Sequence, residues 1–246
     1  MNLGLEGKVC VVTGGTRGIG ASTARMLSQE GARVLTVARH RADLELDLTG
    51  ADAAERVLEA CPETPWALVN CAGASQARPL EELADADWQA QWDLHVMAPM
   101  RLMRACAPRM AQAGGGRIVN LSSSSGKRPS SNLDAAYSVS KAAQLSLSRV
   151  FADLWAGDEV LVNAIAPGPV EDELWTEPGG LADQIAARAG VDREEVLEST
   201  RAKLPVGRMA TPDEIAAAVV FLCSERASNV SGASWSVDGG SVPVNF

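Results

Sequence analysis

The 246-residue sequence has little of what membrane proteins, metalloproteins and nucleic-acid-binding proteins require. No apolar run approaches the ~20 residues of a membrane span, and residues 1–8 lack the apolar core of a signal peptide. The sequence has two histidines, and its five cysteines include no Cys-x-x-Cys pair, so no metal site is expected. A net charge of −9 disfavours nucleic acid and anionic membranes as partners. The cysteine pattern predicts free thiols in a reducing cytoplasm.

Short apolar runs alternate with helical segments along the whole chain. This alternation indicates an α/β fold, in which helices cover both faces of a parallel sheet. No linker divides the chain, so 1–246 is expected to form one domain with an insert of two helices at 169–205. The predicted strands lie at 8–12, 34–37, 66–70, 117–122, 161–164 and 234–237, with one more inside a short link at 39–48. The predicted helices lie at 22–29, 51–60 and 135–155, from Asp85 or Asp87 through Pro99, and from Thr211 onwards.

A glycine-rich segment, Thr-Gly-Gly-Thr-Arg-Gly-Ile-Gly, follows the first predicted strand at 13–20. Glycine lets the backbone approach a pyrophosphate closely, and the next helix offers free N–H groups at the positive end of its dipole. The alternative is that these glycines serve turn geometry alone. The strand–turn–helix setting favours nucleotide binding.

The single tyrosine, Tyr137, stands four residues before Lys141, one of only four lysines, in a predicted helix. This spacing places both side chains on one helix face. A neighbouring ammonium favours phenolate, so we expect the pKa of Tyr137 to fall from about 10 towards the range useful in acid–base catalysis. An incidental surface pair is the alternative. A strand that ends in a run of serines at 122–125 precedes this helix.

In combination, these motifs resemble the short-chain dehydrogenase/reductase family over nearly the whole chain. The resemblance implies a single-domain Rossmann fold with a doubly wound parallel sheet of about seven strands. It also implies an enzyme that interconverts a carbonyl and an alcohol by hydride transfer. The matching segments are Gly14-x-x-x-Gly18-x-Gly20, Asn70-Cys-Ala-Gly73, Tyr137-x-x-x-Lys141, Asn163-Ala-Ile-Ala-Pro-Gly168 and the close at Asp238-Gly-Gly240.

The same resemblance implies a role for each of three side chains. Ser123 would hydrogen-bond the substrate oxygen, although the other serines of the run at 122–125 are rivals for this role. Tyr137 would donate the proton in reduction or accept it in oxidation. Lys141 would also hold the nicotinamide ribose, and the chemistry at carbon belongs to the cofactor.

The family's fourth catalytic residue is an asparagine seven positions after a tryptophan, and counting from Trp88 gives His95 instead. Pro99 has no N–H, so the carbonyl of His95 loses its helical partner and could serve a water relay towards Lys141. Our hypothesis is that His95 preserves this relay and adds a group that titrates near neutrality. A structural histidine without a proton role is the alternative.

The end of the second predicted strand carries Ala38, followed by Arg39, His40 and Arg41, where an acidic residue would bind the ribose of NAD. Guanidinium groups suit a 2′-phosphate, and Arg17 is expected at the same end of the cofactor. A solvated basic turn is the alternative. The sequence therefore predicts NADP(H). The predicted contacts, most of them implied by the resemblance, are Gly14, Thr16, Arg17, Gly18, Ile19, Gly20, Arg39, Asp47, Leu48, Asn70, Ala72, Gly73, Tyr137, Lys141, Pro167, Gly168 and Val170.

The insert at 169–205 is expected to form a lid over the nicotinamide, with Leu174, Trp175 and Leu181 as candidate apolar contacts or core residues. Asp172 replaces the family's usual threonine, which helps to hold the carboxamide. The insert is rich in acidic residues, which should slow docking of an acidic carrier protein. A free small-molecule ketone or secondary alcohol is therefore the favoured substrate, and 3-oxoacyl-[acyl-carrier-protein] reductase is the second possibility.

Two further expectations concern partners. The alternative to an enzyme is a cofactor-sensing protein that binds NADP(H) without turnover. Its support is the two departures from the family pattern, His95 and Asp172. The resemblance also implies a homo-oligomer, a tetramer or dimer, formed through the long helices that start near Asp85 and 135 and through the C-terminal strand. Trp235 and the apolar residues at 242–246 fit a buried terminus.

Overall fold

A computed structural model describes residues 2–129 and 134–243 of the protein. The strands are β1 (Val9–Thr13), β2 (Arg33–Ala38), β3 (Leu44–Glu45), β4 (Ala67–Asn70), β5 (Gly116–Leu121), β6 (Val160–Pro167) and β7 (Ser234–Val237). They form one parallel sheet in the order β3-β2-β1-β4-β5-β6-β7. The chain builds outwards from β1 and then returns to its other side with β4. A crevice therefore opens at the carboxyl ends of β1 and β4, where ligands bind in such sheets.

Helices cover both faces of the sheet. They are α1 (Gly18–Gln29), α2 (Ala53–Ala60), α3 (Asp85–Trp92), α4 (Ala98–Gln112), α5 (Ser124–Lys127), α6 (Ala135–Trp155), α7 (Glu173–Thr176), α8 (Leu181–Ala189), α9 (Arg193–Ala202) and α10 (Pro212–Cys223). Thr211 caps α10 through a capping box with Glu214, as the Thr-Pro-Asp-Glu sequence indicates. Within the described ranges, no helix combines the length and apolar character that crossing a membrane requires.

The helix that starts at Asp85 is one long rod with a π-helical turn at Asp93–Met97, between α3 and α4. Pro99 lacks an N–H and cannot bond to the carbonyl four residues earlier, and the widened turn directly precedes it. This turn carries His95 into the interior, where its side chain is fully buried.

Successive residues of the strands point to opposite faces of the sheet and enter two separate cores. Val11 packs with the residues of α2 and α4 on one face. Its neighbours Cys10 and Val12 pack with those of α1 and α10 on the other. Because strands such as β1 and β4 are buried on both faces, they are apolar runs rather than alternating sequences.

The predicted fold is confirmed, including the helix-free link between β2 and β3. Arg41 takes a left-handed conformation with a φ of 60° in this link, and the Asp43 carboxylate accepts a 2.9 Å hydrogen bond from the Thr36 N–H. The insert at 169–205 differs from the prediction because it holds three helices rather than two. The additional helix, α7, has four residues, too few to produce a periodic pattern.

Candidate active site

The glycine-rich loop between β1 and α1 can be built only from glycine at two places. A Cβ atom at Gly20 would lie 2.1 Å from the carbonyl oxygen of Gly14. Gly14 has a φ of +66°, and a Cβ atom there would lie 2.9 Å from the Ala72 Cα. Helix α1 starts with no side-chain cap and no acidic residue in its first turn, so its first N–H groups are available to an anion. The loop fits a pyrophosphate.

The end of β4 is tied to the end of β1 beneath this loop. The Thr13 hydroxyl accepts hydrogen bonds from the N–H groups of Cys71 at 3.0 Å and Ala72 at 3.2 Å. A Cβ atom at Gly73 would approach the Lys141 Nζ to 3.7 Å. The predicted cofactor floor that begins at Asn70 therefore lies between the glycine loop and the buried lysine.

Of the four predicted contacts at the ribose end of the cofactor, two have exposed side chains, one is engaged in an ion pair and one is buried. Arg39 is exposed directly after β2, and Asp47 is exposed after β3. Arg17 forms an ion pair with Glu177 at 3.5 Å, so Arg17 would have to break this pair in order to bind the 2′-phosphate of the cofactor. The Leu48 side chain is 6% exposed and packs in the core, so only its backbone can contact a cofactor.

Helix α6 brings Tyr137 and Lys141 to one face, as their spacing predicts. Asp134 caps the helix, and its carboxylate accepts a 2.5 Å hydrogen bond from the Tyr137 N–H. The Lys141 Nζ lies 5.8 Å from the centre of the Tyr137 ring. The phenol and the ammonium therefore share one buried environment.

The expected lowering of the Tyr137 pKa is wrong for the protein alone. Burial raises the pKa of this phenol above 10, the carboxylates of Asp172 and Asp134 raise it further, and a hydrogen bond with Ser123 opposes the rise. Burial also lowers the pKa of Lys141 to about 8. At neutral pH the phenol is therefore protonated, and the lysine is mostly an ammonium.

The structure separates Ser123 from its neighbours in the run of serines. Ser123 hydrogen-bonds the Tyr137 side chain and also caps α5, because its hydroxyl accepts a 3.1 Å bond from the Ser125 N–H. The Ser122 hydroxyl instead donates to the Lys141 carbonyl at 2.8 Å, which anchors β5 to α6. Ser123 is thus the serine whose hydroxyl reaches the phenol.

His95 adjoins the phenol, but it does not titrate near neutrality, and that part of our hypothesis is wrong. Its Nε2 accepts a 3.3 Å hydrogen bond from the Ala74 N–H, so its Nδ1 carries the proton and donates to Ser140 Oγ at 3.0 Å. Ser140 in turn donates to the Tyr137 carbonyl at 2.8 Å. Burial, followed by the charge of Lys141, holds the pKa of His95 well below 6.5. The ring packs edge-on against Tyr137 with 5.4 Å between centroids.

The segment after β6 closes the site on the side of the glycine loop. Pro167, Gly168 and Val170, which are predicted cofactor contacts, line the pocket in front of Tyr137. Asp172 lies among them, and its Oδ2 would be 2.9 Å from a Cβ atom at Gly18. Burial, followed by the charge of nearby Glu173, raises the pKa of Asp172 to about 6. A carboxyl group therefore stands beside the predicted pyrophosphate position.

The pocket in front of Tyr137 is lined by both hydroxyl-bearing and apolar side chains. All three candidate lid contacts, Leu174, Trp175 and Leu181, line it together with the serines at 122–125. Ser75 also lines the pocket, and its buried hydroxyl has no partner among the described residues. Sequence reasoning missed Ser75 because no motif marks it. In 2–129 and 134–243, no three His, Cys, Asp or Glu side chains are grouped to hold a metal ion.

The fold and this site define a dinucleotide-binding α/β protein with a serine–tyrosine–lysine centre. A family model described as Enoyl-(Acyl carrier protein) reductase matches residues 14–242. The chain belongs to the short-chain dehydrogenase/reductase family, and it is an oxidoreductase.

Three relatives illustrate the range of activities among similar proteins. D-threitol dehydrogenase from Mycolicibacterium smegmatis is 34% identical over 96% of this chain and 93% of its own length. The 3-oxoacyl-[acyl-carrier-protein] reductase of Thermotoga maritima is 28% identical over 97% of this chain and 99% of its own. The crystal structure of L-sorbose reductase from Gluconobacter frateurii, complexed with NADPH and L-sorbose, matches with a TM-score of 0.89 and 32% identity, covering 100% of both chains.

Proposed function

We propose that the protein interconverts a free, polyhydroxylated ketone and the corresponding secondary alcohol, with NADP(H) as cofactor and Tyr137 as general acid and base. The observation that carries this proposal is that Tyr137 and Ser123 line one pocket, with the buried Lys141 Nζ 5.8 Å from the centre of the phenol ring. These groups provide a proton donor, a hydrogen-bond donor to the substrate oxygen and a positive charge.

The protonation states favour reduction of a carbonyl at neutral pH. The bound cofactor supplies or accepts the hydride. Tyr137 is protonated because burial raises its pKa, so it can donate to the substrate oxygen while Ser123 hydrogen-bonds the same atom. The Lys141 ammonium, 5.8 Å from the centre of the Tyr137 ring, would stabilise the phenolate that remains. His95, a neutral ring fixed by two hydrogen bonds, orients Tyr137 through Ser140.

NADP(H) is supported by the NADPH bound to the L-sorbose reductase and by the charges at the ribose end of the cleft. Gly14 and Gly20 would hold the pyrophosphate against the start of α1. Arg39 and Arg17 would bind the 2′-phosphate, after Arg17 releases Glu177. The nicotinamide would lie between Gly168 and Tyr137.

A polyhydroxylated substrate is supported by the composition of the pocket and by the activities named for two relatives. Ser75 offers an unpartnered hydroxyl to a second substrate hydroxyl, and Trp175 offers an apolar face to the carbon chain. The dehydrogenase from M. smegmatis is named for threitol, and the reductase from G. frateurii binds L-sorbose. The insert at 169–205 would act as the lid over this substrate.

Reduction of a carrier-linked 3-oxoacyl group is the second candidate, and the Thermotoga relative and the name of the family model favour it. The exposed acids Glu171, Glu173 and Glu177 border the cleft and would repel an acidic carrier. We therefore place the free substrate first.

The assembly and the compartment are part of the same proposal. Apolar side chains exposed on α3 and α6 would be covered in a dimer or tetramer: Trp92, Val139, Val150 and Leu154. Trp235 on β7 stacks on Phe221, whereas residues 244–246 of the expected buried terminus lie outside the described residues. All five cysteines are free thiols, which fits a reducing cytoplasm.

A substrate screen tests the proposal. NADPH absorbance is followed in both directions with small ketoses, the matching polyols, simple ketones and acetoacetyl-carrier protein. We expect the fastest turnover with a free ketose or polyol. Faster reduction of the carrier-linked substrate would establish the second candidate. Tight NADPH binding without turnover of any compound would instead indicate a cofactor-sensing protein.

A further inference from the structure

A chain of buried polar side chains lies behind Lys141, on the side away from Tyr137. The Lys141 Nζ donates to the Leu121 carbonyl at 2.6 Å and to Gln144 Oε1 at 3.3 Å. Gln144 follows Lys141 by three residues, so Tyr137, Lys141 and Gln144 lie along one face of α6. Two of the three ammonium protons therefore have protein acceptors, and one is left for the catalytic side.

The helical turn that carries Gln144 is tied to the sheet by a series of hydrogen bonds. The Ser148 hydroxyl donates to the Gln144 carbonyl at 2.7 Å and accepts from Asn120 Nδ2 at 2.8 Å. Asn120 Oδ1 accepts from Asn70 Nδ2 at 2.7 Å, so the series connects α6 to β5 and β4. The position of Gln144 is thus set by the same strands that support the cofactor floor.

The Lys141 ammonium determines the orientation of the Gln144 side-chain amide, even though this orientation leaves the amide nitrogen without an acceptor. Its oxygen faces Lys141, and its Nε2, which is buried, has no acceptor within the described part of the chain. Rotating the amide would turn its N–H groups towards the ammonium, where two donors would face each other. An unpaired buried donor destabilises a fold, so this arrangement favours the charge on Lys141 at the expense of stability.

We propose that Gln144 is a positioning residue that keeps Lys141 charged and directed towards Tyr137 and the cofactor ribose. This inference rests on the proposed function. The titratable groups that face Lys141 and Tyr137 are Cys71, His95, Asp134 and Asp172, besides each other. None of the ion pairs in the described residues includes Lys141.

Because no carboxylate among the described residues pairs with Lys141, neutral hydrogen-bond acceptors determine how readily this buried lysine keeps its charge. A buried ammonium needs hydrogen-bond acceptors to compensate for the loss of water. Burial already brings the pKa of Lys141 down to about 8. Removing the Gln144 oxygen would lower this pKa further, so that Lys141 would lose its charge closer to neutral pH.

Two substitutions of opposite sign test the proposal. For carbonyl reduction, activity should fall at alkaline pH as Lys141 deprotonates, because the pKa of Tyr137 lies higher than that of Lys141. Gln144→Met removes the acceptor and should move the alkaline limb of kcat/KM to lower pH. Gln144→Glu adds a negative charge and should move it to higher pH, each by about one unit.

Gln91 on α3 provides the matched control, because it is a half-buried glutamine that also has an unpaired side-chain atom. Gln91→Met and Gln91→Glu should leave the alkaline limb in place. If the two Gln144 variants keep the native limb, or shift it in the same direction, the proposal is overturned. Should Gln144→Met fail to fold, the position of the limb in Gln144→Glu decides alone. A native protein without turnover would refute the proposed function instead.

Discussion

The carboxyl group of Asp172 should make cofactor binding depend on pH. Asp172 Oδ2 lies beside Gly18, where the pyrophosphate is expected, and its pKa is about 6. Above this pH the group is a carboxylate that repels the phosphates, and below it the group is neutral. NADPH affinity should therefore weaken as the pH rises through about 6.

The magnitude follows from the charge and the distance. A unit charge roughly 6 Å from a phosphate, at an effective dielectric constant of about 20 to 40, costs about 1.4 to 2.8 kcal/mol. This corresponds to about a 10- to 100-fold change in Kd. Asp172→Asn removes the charge and keeps the shape. It should tighten NADPH binding by such a factor at a pH well above the pKa of Asp172, and it should have little effect well below it.

Titration of NADPH fluorescence with the native protein and Asp172→Asn, at one pH on each side of the Asp172 pKa, measures this effect. The comparison between the two proteins cancels the titration of the 2′-phosphate itself, since both bind the same cofactor. Equal Kd values at the higher pH, or the same tightening at both, would show that Asp172 does not face the phosphates.

Two further predictions concern the other departures from the family pattern. His95→Asn should lower the temperature of unfolding, because it removes a buried ring that packs against Tyr137. Its pH–rate profile should superimpose on that of the native protein, since His95 is neutral throughout. A shift of either limb of the pH–rate profile would show that His95 takes part in proton transfer. Arg39→Ala should raise the Kd for NADPH about 10- to 100-fold, because it removes a charge-assisted hydrogen bond, and should leave the Kd for NADH unchanged. An equal rise in Kd for NADPH and NADH would show that Arg39 does not bind the 2′-phosphate.

Local patterns were sufficient to predict the parts of the site that lie within one element. The spacing of four positions from Tyr137 to Lys141 guarantees a shared helix face once α6 forms. The glycine spacing likewise places Gly14 and Gly20 where only glycine fits, because both residues belong to a single strand–turn–helix unit. The strand that leads into the run of serines was also predicted, although the choice among four serines needed the three-dimensional contact with Tyr137.

The electrostatics could not be predicted, because they depend on residues that are distant in sequence. The Tyr137 pKa is raised by burial and by Asp172, which approaches from a segment 35 residues later. Which ring nitrogen of His95 carries the proton is decided by Ala74 and Ser140, which come from a loop and from α6. Spacing within a helix contains no information about such contacts.

The central claim is that the Tyr137 phenol transfers the proton, and Tyr137→Phe tests it most directly. The variant loses only the hydroxyl, so the ring can still pack against His95. With the best substrate of the screen, we predict that kcat falls by about 10²- to 10⁴-fold, the usual contribution of general acid–base catalysis, while the Kd for NADPH stays unchanged. Turnover at the native rate in Tyr137→Phe would contradict the account.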